Sequence, residues 1–223
     1  MFTTEEIWCQ LFSEPGSGSD LASLSTKAVD DGDGFIVNGQ KVWTTLGHLA
    51  KWGLIVTRTD PDVPKHRGLT FFIVDMESDG VDVRPLRQIT GEAEFNEVYF
   101  TDVKIPKENI LGSLGDGWRV SLAILMNERV AIGGNVRERG SGAPGHLVQL
   151  WNDKELDDPV SRDKLIKLWI EQEAVRLTNV RAFENREKGT PGPEGSTSKL
   201  YEAEINKASY CLLYTSPSPR DRQ

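Results

Sequence analysis

Cysteine, histidine and methionine are scarce: the 223 residues include only two Cys, three His and three Met. Cys9 and Cys211 lie far apart and neither sits in a metal-ligand spacing, so neither a disulfide framework nor a zinc site is expected. Positive charge is also short. Against 34 Asp and Glu stand 26 Lys and Arg, giving a formal charge of −8 and a pI near 5.0, a balance that argues against a nucleic-acid-binding surface. No apolar run approaches membrane-spanning length, and no basic-then-apolar leader opens the chain. Nothing repeats at a fixed period, which sets aside propellers and solenoids. A hydrophobic content of 38%, with Trp 6 and Phe 8, is enough for a packed core. A cytoplasmic location is the simplest expectation.

The chain is organised around the run from Trp8 to Asp20. Its first half alternates like a strand, with Trp8, Gln10 and Phe12 on one side and Cys9 and Leu11 on the other. Its second half, Ser13-Glu14-Pro15-Gly16-Ser17-Gly18-Ser19-Asp20, is a polar turn in which glycines alternate with hydroxyl residues. Such a turn can aim several backbone N–H groups at one anion. Taken alone, a loop of Gly, Ser and Pro is usually an ordinary loop.

Beyond it come short β-like runs. Thr26–Val29 and Phe35–Val37 flank Asp31-Gly32-Asp33-Gly34, and Asn38-Gly39 predicts a hairpin into Gln40–Thr45. Gly53–Thr59, Leu69–Asp75, Val81–Leu86, Glu97–Phe100 and Val103–Ile105 complete a set spaced as in a sandwich or barrel. The pattern turns helical at Trp118, with Leu122, Leu125, Met126, Arg129 and Ile132 at three- and four-residue steps. Arg139–Gly145 reads as a break. A second helix is predicted over about 161–188, with Ser161 as its cap and Leu165, Leu168, Trp169, Gln172, Val175, Arg176, Asn179 and Phe183 in one stripe. A third starts at Lys199–Ser209. The expected class is α+β: a β-barrel or sandwich domain over 1–112, then an all-α helical bundle over 113–210. Residues 211–223 resemble a translated sequencing-library transposon adapter and are set apart as a scar.

A β domain carrying this loop, followed by Lys41-Val42-Trp43-Thr44-Thr45 and then by helices, resembles the acyl-CoA dehydrogenase family. Gln10–Asp20 is similar to the family's "TEPxAGSD" stretch, with Ser13 for Thr and Ser17 for Ala. Asn38–Thr45 is similar to "NGxKxWIT". The third stretch runs from Val103 to Gly112 and on through Gly117-Trp118 to Asn127-Glu128-Arg129. The resemblance implies a middle β domain and the start of a C-terminal helical domain, without the N-terminal helical domain and the last helices. The family's Arg-x-x-Phe-Gly segment is not recognisable near Asp157–Leu165, where Arg162 could replace only its charge.

What the resemblance implies is α,β-dehydrogenation of acyl-CoA thioesters to trans-2-enoyl-CoA, with hydride transfer to FAD. Gln10, Phe12, Ser13, Gly18, Ser19, Trp43, Thr44 and Thr45 are then the cofactor-binding set. Ser13 and neighbouring N–H groups would stabilise the charge that builds on the reduced ring. Trp43 would cover one ring face, with the Thr45 hydroxyl toward N5. Ser19, Met126 and Arg129 are the expected substrate contacts. Glu128, just before Arg129, is the candidate base, as in the minority of the family that places it on this helix; otherwise it is an ordinary ion-paired residue and the base lies elsewhere. An electron-transfer flavoprotein is the implied acceptor, and a homodimer or homotetramer the implied assembly. No metal is expected. Alternatives on the same fold are an acyl-CoA oxidase or a related flavin oxidase or monooxygenase, or a non-catalytic truncated product, and this polypeptide alone is expected to be inactive.

Overall fold

The computed structural model describes residues 5–133, 136–189 and 192–215, without the side chains of 129–133. Two compact units divide the chain, Met1–Ile124 and Leu125–Gln223.

The first unit is one curled, mixed sheet of seven strands: β1 (Trp8–Leu11), β2 (Lys27–Asp30), β3 (Gly34–Thr45), β4 (Trp52–Arg58), β5 (Leu69–Asp75), β6 (Val81–Leu86) and β7 (Phe95–Pro106). Their order is β1-β4-β2-β3-β7-β6, with β5 paired to β4. β1 lies parallel to β4 in the register Cys9↔Gly53, and β4 pairs antiparallel with β5. Period-2 alternation sends Cys9 and Leu11 inward to Val37, Ile55, Phe72, Val74, Val98 and Phe100, which form the core. Glycine suits position 53, because a Cβ there would run into the buried side chains of Leu11, Met76 and Val74.

A single register shift takes the place of an expected hairpin and an expected strand break. Asn38-Gly39 does not close a hairpin: β3 runs through it as a single twelve-residue strand. The register against β7 shifts between Val37 and Gly39, and the Asn38 side chain bonds across to Asp102. Gly39 sits at φ +152, where a Cβ would meet the Thr26 hydroxyl at 2.5 Å. A long antiparallel partner thus overrides the local turn preference. Likewise the two expected strands around Asp102 are one, β7, in which Asp102 takes φ +52.

Burial pushes the Cys9 thiol up to about 12, whereas Cys211 is exposed. Only the thiolate is nucleophilic. A disulfide-exchange reagent at mildly alkaline pH is therefore expected to titrate one thiol per native chain, and the second only in denaturant. Fast reaction of both thiols in the native protein would contradict the burial of Cys9.

The helices are α1 (Gly117–Gly133), α2 (Gly142–Asp153), α3 (Pro159–Glu187) and α4 (Glu194–Thr215). α2 begins inside the expected break, with Gly142, Pro144 and Gly145 in its first turn; Pro is tolerated there, where no intrahelical N–H bond is needed. α3 is capped by Asp158, not Ser161: its carboxylate accepts from the Ser161 N–H at 2.8 Å, and Pro159 occupies the first helical position. Leu165, Leu168, Gln172, Val175 and Asn179 are buried as expected, with Ala182 completing the face, while Phe183 is exposed. α4 is longer than expected at both ends and continues without a break through Cys211 to Thr215; residues 216–223 lie outside the described residues. No described helix is long and apolar enough to cross a membrane.

Candidate functional site

The loop after β1 is a tight turn. Glu14 and Ser17 exchange both backbone hydrogen bonds, at 2.9 and 3.0 Å, with Pro15-Gly16 at the tip. The buried Ser17 hydroxyl then donates to the Asp20 carbonyl at 2.7 Å, which turns the chain into Leu21–Ser23. Gly16 and Gly18 differ from Gly39 and Gly53. Neither has a left-handed φ, and a Cβ on either would face open space with nothing within 4 Å. The fold itself does not call for glycine at these two positions.

Beneath this loop lies the most buried charge in the unit. Lys41 is 0% exposed, and its ammonium donates to Glu14 Oε1 at 2.9 Å and to the Phe12 carbonyl at 3.0 Å. Glu14 also accepts from the backbone and hydroxyl of Ser25, each at 2.7 Å, and from the Thr26 N–H at 3.0 Å. Burial alone would push the Glu14 carboxyl up, but Lys41 and these donors outweigh it and hold it at about 2. Burial pulls Lys41 down to about 8 against the charge of Glu14. Each charge favours the ionised form of the other.

The same strand carries the second motif to the same place. The Val42 N–H donates to the Ser13 carbonyl at 2.9 Å, so the end of β3 lies directly against the loop. Lys41 and Val42 are both buried, and the register against β7 shifts between Lys41 and Thr44. At that irregularity Trp43 takes φ +61 and leaves its indole 63% exposed, edge-on to Phe95 at 6.2 Å. A left-handed bulky residue is strained, and strain of this kind collects at functional sites.

The expected site residues divide accordingly. Gly18, Ser19, Trp43 and Thr45 are exposed and Ser13 is half-buried, and Gln10 is exposed on β1. Phe12 and Thr44 are buried: Phe12 packs on Phe71 at 5.6 Å, and the Thr44 carbonyl accepts from Asn96. In the helical unit Met126 is exposed, and Glu128 lies 3.4 Å from Lys199 Nζ. The side chain of Arg129 is outside the described residues. Among the described residues no cluster of His, Cys, Asp and Glu could hold a metal. Sequence reading missed the Lys41–Glu14 pair and the part played by Asn96. Its one available signal was a lysine in an otherwise β-type run.

Comparison with known proteins bears on what this surface is. Residues 9–103 match the model for the acyl-CoA dehydrogenase middle domain, and residues 115–210 the model for the acyl-CoA dehydrogenase C-terminal domain. The chain belongs to the acyl-CoA dehydrogenase family. It is 45% identical over 210 residues to acyl-CoA dehydrogenase FadE34 of Mycobacterium tuberculosis, covering 92% of this chain and 28% of the relative. It is 40% identical over 197 residues to acyl-CoA dehydrogenase IpdE1 of the same organism, covering 88% of this chain and 51% of the relative. The solved Tcur3481-Tcur3483 steroid ACAD superposes with a TM-score of 0.80 at 28% identity, over 93% of this chain and 54% of that one. The chain thus spans at most about half the length of these relatives.

Proposed function

We propose that the protein to which this chain belongs is an FAD-dependent acyl-CoA dehydrogenase that converts acyl-CoA thioesters to trans-2-enoyl-CoA. The observation that carries this reading is the pairing of a strained, exposed Trp43 with a loop whose glycines face open space. A flat aromatic cofactor with a pyrophosphate fits such a surface: the indole offers a ring face, and glycine lets backbone N–H groups approach an anion.

When bound, FAD supplies the two-electron acceptor for the substrate's β-hydrogen. The chain's own residues do the rest. The Ser13 hydroxyl offers a donor where negative charge would build up. Thr45 places an exposed hydroxyl beside Trp43. Glu128 is our candidate for the base that takes the α-proton. Its carboxylate lies 3.4 Å from the Lys199 ammonium. Ser19, Met126 and Arg129 are assigned to the acyl-CoA. A steroid-derived acyl group, suggested by the steroid ACAD, stands beside fatty acyl groups as a substrate to assay. An electron-transfer flavoprotein as acceptor, a homo-oligomer and a cytoplasmic setting belong to the same reading. So does the division into a middle β domain over 1–112, a partial helical domain over 113–210 and an adapter-derived segment over 211–223.

Gly18 offers a direct test. Because a methyl group there meets no protein atom within 4 Å, Gly18→Ala should leave the melting temperature unchanged or slightly raised. The same methyl would stand in the path of the cofactor, so FAD affinity should fall about tenfold or more, a loss comparable to one good hydrogen bond. Unchanged FAD affinity in a stable Gly18→Ala protein would count against a cofactor on this loop.

A further inference from the structure

The segment Trp43-Thr44-Thr45, exposed at Trp43 and Thr45 and buried at Thr44, does not hold its own shape. Both Trp43 and Leu46 are left-handed, at φ +61 and +54, and neither is glycine. What sits behind them is Asn96, 0% exposed on β7 and directly opposite Thr44. Its Nδ2 lies 2.9 Å from the Thr44 carbonyl and 3.3 Å from the Glu94 carbonyl. Carbonyls only accept, so the amide nitrogen must face them and Oδ1 must face His48, whose Nδ1 lies 3.1 Å away. That nitrogen of His48 therefore carries a hydrogen. The Glu94 carbonyl also accepts from the Leu46 N–H at 2.8 Å. One buried amide thus ties together the strand irregularity, the chain after it and the facing strand.

We infer that Asn96 is a positioning residue for the proposed flavin site: its bond to the Thr44 carbonyl keeps Trp43 and Thr45 turned outward. Without that side chain the Thr44 and Glu94 carbonyls each lose an amide donor, and regular pairing with β7 competes with the irregular one. A one-residue slip would exchange the faces of Trp43 and Thr44. The inference rests on the flavin reading for its purpose, and on the geometry alone for the clamp.

Two variants test it in the complete protein. Asn96→Asp keeps the size but cannot donate to the Thr44 carbonyl at neutral pH; Asn96→Ala removes the clamp entirely. Amide exchange should quicken about tenfold or more over residues 43–48 in both, with β4 and β5 unchanged, and FAD affinity should fall about tenfold. Uniform loosening of the whole sheet would show a merely structural role and overturn the inference. So would unaltered exchange at 43–48, or local loosening with full FAD affinity. Wild-type protein that binds no FAD would sink the flavin reading and the purpose given to Asn96, while the exchange data would still report whether the clamp exists.

Discussion

Lys41→Met should cost the β unit about 3–5 kcal/mol, the usual loss when one member of a buried ion pair is removed. For a unit of this size that corresponds to a fall in melting temperature of roughly ten degrees or more. The loss arises because Glu14 stays behind. Its carboxylate keeps the donors from Ser25 and Thr26 but loses its cationic partner in an almost fully buried setting. Removing both charges, Lys41→Met with Glu14→Gln, should recover much of the deficit, since a neutral buried pair carries no unpaired charge. A thermal or urea melt of the four proteins in this cycle measures the coupling. If Lys41→Met melts like wild type, the pair does not hold the loop to β3.

The same pair sets an acid limit. The folded-state value of Glu14, about 2, lies below its ordinary 4.5. Its contribution is therefore complete above about 4.5 and is lost as pH falls toward 2. The Glu14→Gln protein should be less stable at neutral pH and should lose less on acidification over that window.

Trp43→Gly should separate stability from function. Left-handed φ costs a bulky residue about 1–2 kcal/mol, and glycine does not incur that cost. The indole is mostly exposed and gives up mainly its edge contact with Phe95. Stability of the apo protein should therefore hold or rise by about 1 kcal/mol. Loss of the stacking face should nevertheless weaken FAD binding by roughly a hundredfold, the upper end of what burial of a large aromatic surface supplies. A clear drop in apo stability with unchanged FAD affinity would mean that Trp43 is a packing residue.

What could be read from the chain itself was local in sequence. The loop Ser13–Asp20 and the run Lys41–Thr45 announced themselves by residue type, and the change from strands to helices near Gly117 by period. The misreadings share one cause. Asn38-Gly39 has the composition of a hairpin, yet β7 supplies a partner long enough to carry the strand through it. Gly142, Pro144 and Gly145 have the composition of a break, yet they fit the first turn of α2. Glu14 and Lys41 are 27 positions apart, and Thr44 and Asn96 are 52 apart. Nothing in either neighbourhood reveals that these residues meet. Pairings across a sheet decide the inner structure of the proposed site, and the motifs mark only the outer face proposed for it.

The location of the flavin in the complete protein is the most direct test of the proposed site. In a crystal structure of that protein with FAD, the isoalloxazine ring should lie within about 4 Å of the Trp43 indole, with the pyrophosphate beside Gly18 and Ser19. A ring bound elsewhere, with Trp43 still facing solvent, would contradict it.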